Sequence, residues 1–171
     1  MPIETGTQEI FDAVARRYGF VPNLIKEMTR NPAVARVYLG GQEALADGVL
    51  SGPEKQALQL GISVFNECEY CRAAHRAGSR MAGLGGADAD AIERGELPPS
   101  PRLRSLVSAA WQLLEAKGFL TADQLKALEA EGVDRAQLYE VVALIGLKTI
   151  SNYVNHVAHT PIDAAFAGEG R

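Results

Sequence analysis

The chain has 171 residues, 47% of them apolar and 22% charged, and a formal net charge of −4. That suits a single soluble domain burying roughly two-thirds of its unfolded surface. No basic run or Arg/Lys stripe with interleaved aromatics occurs, which argues against a nucleic-acid partner. Two cysteines are too few for a disulfide framework.

The opening "MPIETGTQEIFDAV" carries acids where a signal segment needs a basic stretch and then an apolar run. The most apolar segment, "VVALIGLKTI", is far too short for a membrane span and holds Lys148. No membrane association and a cytoplasmic location are therefore expected.

In chain order, "TQEIFDAVARRY" places Ile10, Phe11, Val14 and Tyr18 on one helical face, and Gly19 ends it. Pro22 opens a short helix over "NLIKEM". Asn31 and Pro32 supply an N-cap and a first helical position for a helix whose apolar face is Val34, Val37, Tyr38 and Leu45. Gly40-Gly41 in its middle costs roughly 1 kcal/mol per glycine, and a close helix contact is the expected return. Ser51 stands three residues before Glu54, the spacing of a capping box, and opens a helix with the stripe Leu58, Ile62, Phe65.

The next helix is expected to start near Cys68 and to end at "GLGG". "ADADAIERGE" reads as a short acidic helix and "LPPSPR" as a rigid linker. Leu103, Leu106, Val107, Ala110, Leu113 and Leu114 stripe the helix that follows. Thr121 and Gln124 cap another. The longest helix runs from the "DRAQLYE" segment to just before Pro161. Strand signals are almost lacking. The expectation is one all-α domain over 1–171, with N-terminal helices (1–50), a CxxC core (51–84) and C-terminal helices (85–171).

"NECEYCRAAH" is the segment with chemical content. Cys68, Cys71 and His75 are spaced i, i+3, i+7, so both sulfurs and the imidazole share one helical face. Cα atoms at i, i+3 are about 5 Å apart, within disulfide range. A helix start favours thiolate, and a histidine one turn on can take the proton. Two buried core cysteines are the plainest alternative. A zinc site, with His156 or His159 as a fourth ligand, is another. Further along, Asn152, Asn155, His156 and His159 form a polar face on the last helix. It reads either as a solvated or subunit-contacting end or as a wall of the thiol pocket formed by Asn155 and His156.

The segment "PEKQALQLGISVFNECEYCRAAHRAG" resembles the core of the AhpD-like alkylhydroperoxidases, within the carboxymuconolactone decarboxylase superfamily. The resemblance is strongest over Ser51 to Gly83 and extends to "VPNLIKEMTRNPAVARVYLGGQEAL" and "LKTISNYVNHVAHTPID". It implies an AhpD-like all-helical fold that oligomerises as dimer, trimer or hexamer. It implies hydroperoxide reduction with no cofactor or metal: Cys71 is oxidised to a sulfenic acid, Cys68 resolves it to a disulfide, His75 moves protons, and a dithiol reductant resets the pair. Two positions depart from the pattern. Gln56 stands twelve residues before Cys68, where the family's relay places a glutamate, and glutamine cannot accept the proton as a carboxylate does. Glu54, Glu67 and Glu69 do not share its angle. A glutamate restored at 56 is accordingly expected to raise peroxide consumption. Tyr70 stands where some members carry a relay histidine, and a ring packed at a helix junction is its more ordinary role. The alternatives are a decarboxylase-type lyase or isomerase, whose chemistry calls for no dithiol, and a metal-binding or redox-sensing module.

Overall fold

The computed structural model of the chain describes residues 2–167, with side chains from Gly6 onward. The outermost limits of the expected domain, residue 1 and residues 168–171, lie outside the described residues. Among those described there is no strand, and the helices are α1 (Pro2–Tyr18), α2 (Asn23–Met28), α3 (Pro32–Ala44), α4 (Gly52–Phe65), α5 (Glu69–Gly78), α6 (Gly86–Glu93), α7 (Pro101–Glu115), α8 (Ala122–Ala130) and α9 (Arg135–Ala158). None of them is long and apolar enough to cross a membrane.

The helix starts follow from their caps. Asn31 accepts from the Ala33 amide, with Pro32 at the first helical position of α3. Ser51 and Glu54 close a capping box on α4, and the free oxygen of Glu54 accepts from Arg102 Nε at 2.6 Å. One carboxylate thus starts α4 and ties it to α7. Thr121 with Gln124 and Asp134 with Gln137 do the same for α8 and α9.

Helix α4 is the hub, packing on α5, α6, α7 and α9. Its Leu58 and Ile62 meet Leu106, Ala109 and Ala110 of α7 and Val141 and Leu144 of α9. Its Ala57 and Leu60 meet Ala89 and Ile92 of α6 and Val107 of α7. A helix touched on so many sides has no single stripe: Ala57, Leu58, Leu60, Gly61, Ile62 and Ser63 are all buried. Phe65, expected in the stripe, is instead 43% exposed at the last turn. A third cluster joins Ile10, Val14, Leu24, Ile25, Met28 and Ala35 to Cys68, Tyr70 and Cys71. The dithiol therefore lies in the wall of an apolar core, with α9 on its other side.

Three further expectations shift. Val37 is 60% exposed, and α3 buries Ala35 with Val34, Tyr38 and Leu39 against the core instead. Of the two glycines in α3, Gly41 makes the close contact: a Cβ there would stand 2.5 Å from Leu147 Cδ2 of α9, whereas Gly40 faces open space. Helix α5 ends at Gly78, five residues before "GLGG", because the Ser79 hydroxyl takes the His75 carbonyl at 2.8 Å and the chain turns. Gly83, at φ +75°, serves that turn.

Glu140 of α9 clamps the α3–α4 link. Its Oε2 accepts from the Val49 and Leu50 amides at 2.5 and 3.2 Å, and Lys55 Nζ lies 3.5 Å from its Oε1. The carboxylate is buried, so its removal strands two amides and an ammonium. Glu140→Ala is expected to destabilise the chain by about 2–4 kcal/mol in urea denaturation. A loss below about 0.5 kcal/mol, the level of a surface change, would show that the clamp is not needed.

Candidate active site: a buried dithiol

The last turn of α4 sets the site. Glu67 takes the left-handed conformation (φ 55°), its amide bonds to the Val64 carbonyl, and the Cys68 amide bonds to the Ser63 carbonyl. This is a Schellman end in which glutamate occupies the position usually given to glycine, at a cost of about 1–2 kcal/mol. It turns the chain so that Cys68 becomes the N-cap of α5 and Cys71 falls in its first turn. Both are free thiols, 1% and 2% exposed.

Helix α9 lays a polar face against the two sulfurs. Asn155 Nδ2 lies 3.2 Å from Cys71 Sγ and 3.9 Å from Cys68 Sγ. Ser151 Oγ is 3.9 Å from Cys71 Sγ, and the Asn152 carbonyl is 3.9 Å from Cys68 Sγ. One turn earlier on α9 stands Lys148, 1% exposed, with Nζ 2.7 Å from His75 Nε2. No carboxylate among the described residues pairs with it.

These neighbours split the two thiols. Cys71 is driven well below the usual thiol range: the Cys68 thiol donates to its sulfur, burial opposes this, and the Lys148 charge, Asn152 and Ser151 reinforce it. Cys68 is pushed up, first because its proton is engaged with Cys71, then by burial and the Cys71 charge. His75 is held well below the ordinary imidazole range by burial, with Lys148 adding to it. The surroundings thus favour the ionised form at Cys71, the protonated form at Cys68 and the neutral form at His75, whose Nε2 lies against Lys148 Nζ. Tyr38 of α3 also faces this space, and burial followed by the Cys71 charge keeps its hydroxyl protonated.

The residues singled out by sequence fall into two groups. Cys68, Cys71, His75 and Asn155 come together. Gln56 adjoins them differently from a relay base: its Nε2 donates to the His75 main-chain carbonyl at 2.5 Å and does not bond to the ring. Tyr70 hydrogen-bonds elsewhere, donating to Asp163 at 2.5 Å and accepting from the Leu24 amide at 3.3 Å, so that it pins the C-terminal segment to α2. His156 is exposed and stacks on Tyr153 with centroids 5.9 Å apart. His159 ends α9 in the left-handed conformation. Lys148, Ser151 and Asn152 were not picked out as site residues by spacing, although Asn152 was seen as part of a polar face.

An open cleft of about 580 Å³ lies over the Cys68 side, lined by Phe65, Asn66, Glu67, Tyr153 and His156. Asn66 of its wall donates to Asn152 Oδ1 at 2.8 Å, one residue layer from the Cys68 sulfur. Among the described residues no three side chains of His, Cys, Asp or Glu converge as metal ligands would.

Residues 32–99 match the Carboxymuconolactone decarboxylase family. No curated protein matches the chain. Solved structures do. The alkylhydroperoxidase AhpD core of an uncharacterized peroxidase-related protein from Ralstonia eutropha JMP134 superposes with a TM-score of 0.82 at 23% identity, covering 94% of this chain and 86% of that one. An uncharacterized peroxidase-related protein from Silicibacter sp. TM1040 gives 0.81 at 21% identity, covering 100% and 92%. The debrominase Bmp8 gives 0.75 at 18%, covering 94% and 87%. At such identities the likeness is one of fold. The family match thus spans the central helices, residues 32–99, and over nearly the whole chain the fold is that of the AhpD core.

Proposed function

We propose that the chain is a thiol-dependent oxidoreductase that reduces hydroperoxides through a Cys71–Cys68 dithiol–disulfide cycle. The observation that carries this is the unequal setting of the pair: Asn155 Nδ2 stands 3.2 Å from Cys71 Sγ and 3.9 Å from Cys68 Sγ, and the Cys68 sulfur faces the Asn152 carbonyl, so that the ionised form is favoured at Cys71 and the thiol at Cys68. A nucleophile and a resolving thiol need those opposite states. The Cys71 thiolate attacks the distal peroxide oxygen. An S–O bond forms, the O–O bond breaks, and the departing alkoxide takes a proton from the site. Cys68 sulfur then attacks Cys71 sulfur, the S–O bond breaks, and the leaving hydroxide takes the Cys68 proton as water. An external dithiol reduces the disulfide. A lyase acting on a lactone-like acid makes no use of this division.

A homo-oligomer belongs to the same proposal. The outward side of α9 presents Tyr139 (66% exposed), Val142 (49%), Tyr153 (56%) and Val157 (84%), an apolar stripe ending beside the cleft. Sedimentation should report a species larger than the monomer, and Val157→Glu with Tyr153→Glu should shift it toward monomer. A monomeric wild type would remove the assembly from the proposal.

Cys71→Ser is expected to abolish peroxide consumption with a dithiol reductant, and Cys68→Ser to stop the cycle after one turnover. Equal rates for wild type and Cys71→Ser would end the proposal. The depressed Cys71 titration fixes the pH dependence. The thiolate is the reactive form, so alkylation of Cys71 by iodoacetamide should be flat above pH 7. It should fall as pH drops through the folded Cys71 titration. A free cysteine would instead still be rising at its usual pKa of about 8.5.

We infer from the contact of Gln56 that a glutamate there does not help, against what the family's relay implies. The His75 carbonyl accepts from Gln56 Nε2 as well as from the Ser79 hydroxyl, and a carboxylate at 56 would set a negative oxygen against it with no proton to give at neutral pH. Gln56→Glu is expected to lower stability by about 1–3 kcal/mol without raising turnover. A clear rise in peroxide consumption would show that a carboxylate relay can still be rebuilt at that position.

A further inference from the structure

The proposed cycle needs a proton when the O–O bond breaks, and no carboxylate in the site supplies one. The cationic group sealed against the dithiol is Lys148, 1% exposed and 2.7 Å from His75 Nε2. Its charge acts on Cys68 at the N-cap of α5 and on Cys71 and His75 within that helix, and around the sulfurs stand Tyr38 of α3 and Ser151, Asn152 and Asn155 of α9. The acids of the surrounding helices are engaged elsewhere: Glu54 with Ser51 and Arg102, Glu140 with Lys55 and the Val49 and Leu50 amides, Asp163 with Tyr70 and the Asn23 amide. The counter-charge left to the ammonium is the Cys71 thiolate.

We propose that Lys148 is the proton donor of the site, releasing its proton through His75 when the Cys71 thiolate is oxidised and regaining it when the disulfide is reduced. This rests on the dithiol cycle above and adds its missing proton source. A buried ammonium is tolerated while a thiolate balances it. Once that charge is consumed, the ammonium stands unpaired in an apolar wall, where shedding a proton costs less than keeping the charge. His75 is placed for the transfer, since its neutral Nε2 accepts from Lys148 and its other nitrogen can pass a proton on.

The balance closes. The Cys71 thiolate, the hydroperoxide and the Lys148 ammonium give Cys71 sulfenic acid, the alcohol and a neutral Lys148. Cys68 thiol and the sulfenic acid then give the disulfide and water. Reduction by a dithiol returns Cys68 thiol, Cys71 thiolate and one proton, and that proton goes back to Lys148. Oxidation thus takes no proton from solvent. If Lys148 kept its charge throughout, each disulfide formed would draw one proton from the medium.

That difference is the test, and it does not require peroxidase turnover. Reduced protein is oxidised stoichiometrically with diamide in weakly buffered solution at pH 7.5, and proton uptake is read with an indicator dye. Diamide takes two hydrogens for each disulfide formed, one from Cys68 and one from either Lys148 or the medium. Wild type should take up close to zero protons, and Lys148→Arg, whose charge cannot leave, close to one. One proton in wild type would overturn the proposal. In parallel, Lys148→Met should move the iodoacetamide profile of Cys71 upward by about 1–3 pH units, and an unmoved profile would also overturn it. Should either variant fail to fold by circular dichroism, the wild-type count decides together with the wild-type alkylation profile: zero uptake with Cys71 already a thiolate at pH 7.5 supports the proposal, and zero uptake with a protonated Cys71 overturns it. A wild type that consumes no peroxide yet gives both expected readouts would count against the peroxidase proposal and leave the proton assignment standing.

Discussion

A charge sealed inside a helical wall must find its opposite, and this requirement organises the site. Lys148 is almost wholly buried on α9, beside α5, with no carboxylate partner among the described residues. An ion in that position is stable only if something nearby ionises with the other sign. The sulfur of Cys71 is the group pushed that way, its ionised form favoured by Cys68, Lys148, Asn152 and Ser151 and its sulfur touched by Asn155 Nδ2. His75 in turn stays neutral, since a second cation beside the first would add cost without adding balance. Thiolate, thiol, imidazole and ammonium form one electrostatic unit. The states of its members follow from one another, more than from the helix start that the sequence pattern singles out.

The fold serves this unit by fixing the spacing of three helices. Helix α4 anchors α5 and α9 on different sides of itself. The left-handed Glu67 between α4 and α5 turns the chain so that both sulfurs face α9. Gly41 lets α3 approach Leu147, immediately before the lysine. The clamp of Glu140 on the Val49 and Leu50 amides holds the start of α4 to the same helix. None of these devices touches substrate, yet each controls how tightly the ammonium is enclosed, and the enclosure gives its charge leverage on Cys71.

Much of the architecture was legible in the sequence for local reasons. Capping pairs such as Ser51–Glu54 and Thr121–Gln124 act within four residues, and proline positions act within one turn. What failed was the identity of buried faces where a helix has several neighbours. Phe65 and Val37 fit a helical stripe yet lie exposed, because periodicity reports that a helix has a buried side and says little about its width. The site divides in the same way. Cys68, Cys71 and His75 lie within about two turns of helix and are visible from spacing. Lys148 lies 73 residues from His75 along the chain, in an apolar run where it looked only like a bar to a membrane span. Its meaning comes from packing α9 on α5. Asn155 and His156 show the limit of a face drawn from a helical wheel. Neighbours on one polar stripe, they divide at its edge, the first against the sulfurs and the second stacked on Tyr153 in the open.

The two sides of His75 explain why glutamine at 56 and lysine at 148 belong together. Gln56 holds the main-chain carbonyl of His75, while Lys148 holds its ring. A carboxylate relay solves the proton problem by removing a proton from a neutral thiol. It becomes a neutral acid as the thiolate forms, so it leaves no charge of opposite sign beside the sulfur. A buried ammonium solves the same problem from the other direction, since it favours the thiolate before substrate arrives and still carries the proton that the broken O–O bond requires. The two solutions compete. A carboxylate beside His75 would offer Lys148 a permanent partner, compensate its charge, and leave Cys71 without the cation that holds it ionised. A neutral amide at 56 avoids that competition and satisfies the carbonyl. In the proposed cycle the missing glutamate leaves no gap, because Lys148 rather than a carboxylate is the proton source beside His75.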